Sequence, residues 1–216
     1  MKPKCTLEEF QKSVSKHEMT VIRDEGVDRH LRFRKSTSSD SWFDVITWGG
    51  RLYIGGDCGT YVFARLPDMF KFFRGDEDRI NPGYWEEKVE SSDRNGGTQA
   101  FEWETFLEDV KSSFDSSWYI DDLEEGFDEV DRKHHTDHID KRTACWEAVQ
   151  EALDDTQNDE YGACGFIRNF NHENWYFKDW EHDSKEFTSH FLWNCYAIVW
   201  AIDKYDASKL VATKEQ

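Results

Sequence analysis

Three stretches of this 216-residue chain hold side chains whose types and spacing could do chemistry. The first is Asp121-Asp122-Leu123-Glu124-Glu125-Gly126-Phe127-Asp128-Glu129-Val130-Asp131, in which sparse apolar anchors alternate with carboxylates. Asp154, Asp155, Asp159 and Glu160 form a second acidic patch. Carboxylates three or four apart on a helix lie about 5–6 Å from one another, close to the spacing of phosphates along one nucleic-acid strand. Such an array would reproduce the charged backbone that nucleic-acid-binding proteins gain affinity by neutralising. The plain alternative is a solvated face that keeps the protein in solution.

The second stretch is His134-His135-Thr136-Asp137-His138. On a helix His134 with His138, or His135 with His138, share a side and could ligate a metal together with Asp137 or Cys145. The run lacks the HExxH pattern, and Arg132 and Lys133 beside it fit basic residues near a helix end. No metal or other cofactor is therefore expected. The third stretch, Gly55-Gly56-Asp57-Cys58-Gly59-Thr60, is glycine-rich but has no P-loop lysine and joins two strands, which makes it a hairpin turn. Cys58 with His30 as base would be a nucleophile pair only if the fold brought them together. Arg23, Arg29, Arg32, Arg34 and Lys35 form a basic cluster, either the polar face of a hairpin or an anion site. No catalytic residue is assigned.

The elements that must position these residues fall into two parts. Thr6 with Glu9 is a capping-box pattern that starts a short helix. Met19–Arg23, His30–Arg34, Trp42–Trp48, Leu52–Ile54 and Tyr61–Arg65 alternate as strands, and Gly49-Gly50 is a two-residue hairpin turn. Pro67 suits the first position of a helix through Met69, Phe70, Phe72 and Phe73, closed by Gly75. Pro82 to Val89 reads as a further short helix. Beyond Ser91–Thr98 the spacing is helical throughout. Phe101, Phe106, Leu107 and Val110 form one apolar stripe, and Ile139, Cys145, Trp146, Val149 and Leu153 another. Phe187, Phe191, Cys195, Ile198, Val199 and Ile202 form the strongest, expected to be the core of this half. The expected class is α+β: residues 1–95 an antiparallel sheet of about five strands with flanking short helices, residues 96–216 an acidic helical part packed on the first as one compact unit.

Charge separates the same two parts. With 45 acidic and 27 basic side chains the chain carries a net charge of -18. Residues 1–95 hold 17 acidic and 16 basic side chains, whereas 101–160 hold 20 and 5. An anionic chain is repelled by phosphate backbones and anionic lipid, so direct nucleic-acid or membrane binding is not expected. Ten Trp, eight Tyr and sixteen Phe supply the burial that a chain this charged needs in order to fold. Five widely spaced cysteines without a CxxC pair, and no secretory h-region, fit a reducing cytosol. The longest apolar stretch, Phe191 to Ile202, is too short to cross a bilayer.

Thr20-Val21-Ile22-Arg23-Asp24-Glu25-Gly26-Val27 with Arg29-His30-Leu31-Arg32-Phe33, the run from Ile46-Thr47-Trp48 to Gly59-Thr60-Tyr61-Val62-Phe63, Asp68-Met69-Phe70-Lys71-Phe72-Phe73, Ile80-Asn81-Pro82-Gly83-Tyr84-Trp85 and Phe191-Leu192-Trp193-Asn194-Cys195-Tyr196-Ala197 carry a family likeness. Together they resemble a family of uncharacterised proteins of tailed bacteriophages and prophages, over roughly half the chain, from Met19 to Lys88 and again near the last helix. The resemblance implies a small accessory protein in the cytoplasm of an infected bacterium and carries no activity with it. Phages meet host enzymes that grip nucleic acid in basic channels, and small acidic proteins that block such channels are a recurrent answer.

Acidic array and phage context together give the expected function. It is a non-enzymatic anti-defence inhibitor of the anti-CRISPR or anti-restriction type, a DNA mimic that occupies the basic groove of a host nucleic-acid-binding complex. Asp121, Asp122, Glu124, Glu125, Asp128, Glu129 and Asp131 would make the first contact and Asp154, Asp155, Asp159 and Glu160 the second. Two alternatives stand beside it: a metal-assisted enzyme acting on a nucleotide signal or host protein, and a phage structural or adaptor protein with a solvated acidic face.

Overall fold

The computed structural model describes residues 5–74, 80–118 and 129–214, with the side chains of 129–135 and 212–214 excepted. They form two compact units, Met1–Ala100 with Phe187–Gln216 and Phe101–Glu186. In the first unit helix α1 (Leu7–Val14) starts at the expected capping box, with the Glu9 amide donating to Thr6 Oγ1 (3.2 Å) and the Thr6 amide to Glu9 Oε2 (2.9 Å).

Strands β1 (Glu18–Glu25), β2 (Asp28–Arg34), β3 (Phe43–Trp48), β4 (Arg51–Gly56) and β5 (Gly59–Ala64) follow as an antiparallel meander. Gly49 and Gly50, at φ 51° and 78°, make the tight turn that pairs Trp48 with Arg51. The helix expected from Pro67 begins two residues later as α2 (Met69–Phe73), because the Asp68 carboxylate caps it by accepting from the Phe70 amide (3.2 Å). The expected stop at Gly75 lies outside the described residues. The stretch from Pro82 holds a single-turn helix, α3 (Pro82–Glu86), and then a sixth strand, β6 (Val89–Ser91), added at the free edge of β5.

Strand alternation places Leu31, Phe33, Phe43, Val45, Leu52, Ile54, Tyr61 and Phe63 on one buried face. The second half is helical apart from a short two-stranded ribbon. It comprises β7 (Gln99–Phe101), α4 (Trp103–Ser117), α5 (Glu129–Asp154), α6 (Glu160–Asn169), β8 (Lys185–Phe187) and α7 (Ser189–Lys214). The last helix does not serve as the core of the helical half. Its Phe191, Cys195, Ile198 and Ile202 belong to the core of the sheet unit, and Trp193 meets Phe43 edge-on (5.4 Å) and Phe10 of α1 (5.3 Å). The physical reason is its apolar circumference: Ala197, Val199, Ala201 and Trp193 are buried too, so α7 needs partners on several sides, and a sheet with flanking helices supplies them.

The second unit has its own core of Phe106, Val110, Phe114, Cys145, Val149, Ala163, Phe166 and Phe177, ringed by Trp103, Trp118, Trp146, Trp175 and Trp180. Two residues expected on its stripes, Leu107 and Ile139, are exposed, each at the margin of an otherwise buried face. Among the described residues no helix is long and apolar enough to cross a membrane.

Phe43 is fully buried and stacks on Phe33 (4.8 Å) under α7. Phe43→Ala is expected to lower unfolding free energy by about 3–5 kcal/mol, measured by urea denaturation.

Candidate functional site

The partition into units sharpens the charge separation read from the sequence. Phe101–Glu186 carries 25 acidic and 8 basic side chains, net -17, while the rest of the chain carries 20 and 19, net -1. Nearly all the net negative charge thus belongs to one aromatic-cored unit.

Helix α5 arranges part of that charge. At roughly 100° per residue, Asp137, Asp140, Glu147, Glu151 and Asp154 fall within an arc of about 100°, opposite the inward-facing Cys145, Val149, Ala152 and Leu153. All five are exposed, and none forms an ion pair among the described residues. They span about 25 Å of helix at 1.5 Å per residue. Helical periodicity is the sequence signal for this stripe, of which the residue types single out only Asp137, as a possible ligand, and Asp154, as part of an acidic patch.

The acidic residues expected to make contact are distributed as follows. Asp121, Asp122, Glu124, Glu125 and Asp128 lie outside the described residues. Glu129 and Asp131 belong to the first turn of α5, and their side chains lie outside the described ones. Asp154 ends the stripe and Asp155 is exposed just beyond it. Asp159 has a structural task, since its carboxylate caps α6 by accepting from the Gly162 amide (2.7 Å). Glu160 stands 3.7 Å from Lys185, an exposed pair worth little.

The histidine run does not gather ligands. His138 packs its ring edge-on to Trp118 (4.9 Å), Cys145 is buried in the core with its thiol pushed upward by that burial, and Asp137 faces solvent. The side chains of His134 and His135 lie outside the described ones. Among the described residues no group of three or more His, Cys, Asp or Glu is placed to hold a metal ion.

Cys58 and His30 are not a pair. The Cys58 thiol packs against the buried core and is pushed up to about 11 by burial and then by Asp57, which leaves it protonated at neutral pH. His30 alternates with buried Arg29 and Leu31, so it stands on the opposite face of the sheet, where its Nε2 meets Asp44 Oδ2 (3.0 Å). A second network has no signal in the residue spacing: Ser184 Oγ donates to Asp109 Oδ2 (2.7 Å) and His182 Nδ1 lies 3.3 Å from Oδ1. The carboxylate separates hydroxyl from imidazole, so the histidine cannot take the serine proton as a nucleophile triad requires.

The basic cluster is split by strand alternation. Arg29 turns inward to Asp68 (2.9 Å) beneath Phe70, Arg23 pairs with Glu25, and Arg32 grips Asp44 through two 2.8 Å bonds. Only Arg34 and Lys35 of the five make no ion pair among the described residues.

Comparison with models of known protein families, with curated proteins and with solved structures gives no match.

Three carboxylates tie the sheet unit together. Burial by itself would raise Asp44 and Asp68, but hydrogen bonds from Arg32 with His30, and from Arg29, outweigh it and hold both below the usual range. Asp24 is held down chiefly by Lys209. Groups depressed in the folded state stabilise it above their unfolded value of about 3.9, and that contribution is lost as pH falls through the lower folded value. Burial of His17 works in the same direction at higher pH, since it lowers the folded value and lets the unfolded chain take up the proton first. Hydrogen exchange of the sheet amides, after correction for intrinsic exchange, is therefore expected to lose some protection as pH falls below about 6.5 and to lose it more steeply below about pH 4. Asp44→Asn should flatten part of that acid slope.

Proposed function

We propose that the chain is a phage-encoded anti-defence inhibitor whose acidic helical unit imitates a nucleic-acid backbone and fills the basic groove of a host complex. The observation that carries this reading is the confinement of net -17 to Phe101–Glu186 beside a nearly neutral sheet unit. Charge needed only for solubility has no reason to be concentrated so fully, since solubility is served equally well by acids spread over both units.

The α5 stripe supports the reading further. Its carboxylates are outward-facing, without an ion pair among the described residues, and fixed to a helix with an aromatic core behind it, so a cationic groove could engage several at once without first ordering them. Opposite potentials of this kind steer encounter and raise the on-rate, and a fully desolvated pair adds about 1.5–7 kcal/mol of coupling. The phage resemblance supplies the setting, the cytoplasm of an infected bacterium, and a class of partner, a CRISPR effector or restriction enzyme.

The test is competition. CRISPR effectors and restriction enzymes are assayed for DNA binding with and without the chain, at rising ionic strength. Exclusion of DNA from at least one complex, weakening as salt rises, is the expected result. The variant carrying Asp137→Asn, Asp140→Asn, Glu147→Gln, Glu151→Gln and Asp154→Asn should lose about tenfold or more of its affinity for that complex while keeping its helical circular dichroism. Undiminished exclusion by the variant, or binding that leaves DNA in place, would sink the proposal.

A further inference from the structure

We propose that the sheet unit carries a separate small-molecule site, a pocket for a mononucleotide at the loop between β2 and β3. Arg32, Arg34, Lys35, Ser36, Ser39 and Trp42 line a cavity of about 530 Å³, the size of ordinary small-ligand pockets. Its polar lining is three cationic side chains and the hydroxyls of Ser36, Ser38 and Ser39, each able to donate, with no carboxylate among them. The remaining wall is the indole of Trp42, exposed to 37%. Cations with hydroxyls recognise a phosphate, and an exposed indole recognises a flat ring. A phosphate ester of a nucleoside presents both.

The charge balance favours an anion there. No acid is among the residues that line the pocket, and two of the four near it are engaged. Asp44 is held by Arg32 and His30, and Asp57 accepts from the Ser41 amide (2.9 Å). Asp40 lies in the loop itself, and Glu18 faces Arg34 across the β1–β2 ladder without forming an ion pair with it. Among the described residues Arg34 and Lys35 form no ion pair, so both can turn to a dianion. Arg32 uses Nε and one terminal nitrogen on Asp44, which fixes the plane of its guanidinium and leaves the other terminal nitrogen unengaged.

The loop is held in shape before any ligand arrives. Ser41 adopts a left-handed backbone at φ 58°, a conformation that non-glycine residues keep only when their surroundings enforce it. Here the enforcement is visible. His17 Nε2 donates to the Ser41 carbonyl (2.9 Å), Asp57 accepts from its amide, and the Asp40 amide donates to Ser38 Oγ (2.9 Å). Burial lowers the proton affinity of His17, so its neutral form prevails, with the proton on Nε2 as this bond requires. The strained residue thus sits one position before Trp42 and turns that indole into the pocket wall.

The site is independent of the acidic unit, and its test leaves that unit untouched. The full chain is titrated calorimetrically at about 0.15 M salt, where screening extends over about 8 Å, with AMP, GMP, CMP and UMP in turn, and with ribose 5-phosphate, adenosine and inorganic phosphate. Expected are saturable binding of at least one nucleotide at a single site, weaker binding of ribose 5-phosphate, and none of adenosine. Arg34→Ala with Lys35→Ala should weaken the nucleotide about tenfold or more. Trp42→Ala should reduce it to the level of ribose 5-phosphate, and Trp42→Phe should restore it. Circular dichroism of each variant checks that the sheet is intact. The proposal is overturned if no nucleotide binds at millimolar concentration, if the double variant binds unchanged, or if inorganic phosphate binds as tightly as every nucleotide.

Discussion

Repulsion among the carboxylates of Phe101–Glu186 is the constraint that the rest of the helical unit must satisfy. A like-charged pair one helical turn apart costs about 0.2–0.5 kcal/mol, and screening over about 8 Å keeps more distant pairs from adding much. Burying one aromatic ring of 150–250 Å² yields about 4–6 kcal/mol at 25 cal/mol per Å². One ring therefore offsets many carboxylate pairs. The unit gathers Phe106, Phe114, Phe166 and Phe177 with five tryptophans around them. The unusual aromatic content and the unusual acidity of this chain are two sides of one balance.

That balance also dictates where the acids can stand. A carboxylate brought inside would cost several kcal/mol without a partner, so Asp137, Asp140, Glu147, Glu151 and Asp154 are driven to the face away from Cys145 and Val149. Segregation makes a stripe, and a rigid core makes the stripe hold its spacing. Any function that depends on a fixed anionic pattern, mimicry included, becomes accessible as a consequence of folding a very acidic sequence.

Local chemistry was legible wherever a single residue decides the geometry. Thr6 and Glu9 announced the cap of α1, and Gly49-Gly50 announced the β3–β4 turn. Period-2 runs placed five strands of the meander close to where they lie. Partnership was not legible. Apolar residues all around α7 say that it is buried but not against what, and the sheet claimed it. The arginines of β2 looked like one cluster in sequence, yet a two-residue alternation sends Arg29 into the core and Arg32 to the open face. Asp159 looked like a contact residue because a helix cap and a surface acid have the same letter; only the Gly162 amide tells them apart.

The two charged features of this chain obey opposite rules of range. The acidic unit acts at a distance: many charges of one sign sum to a field that a cationic groove feels before contact, and added salt erodes it. The pocket beside Trp42 must work within the field of a chain of net charge -18, which repels an approaching anion beyond contact. It can succeed only at short range, where Arg34 and Lys35 lie within bonding distance and screening over about 8 Å has removed most of the remote charge. Raising ionic strength therefore acts in different proportion on the two. It would weaken the attraction of the stripe for any cationic groove, while at the pocket it would remove repulsion as well as attraction. A chain that carries both has reason to confine its acids to one folded unit, since the same carboxylates placed on the sheet unit would neutralise the pocket.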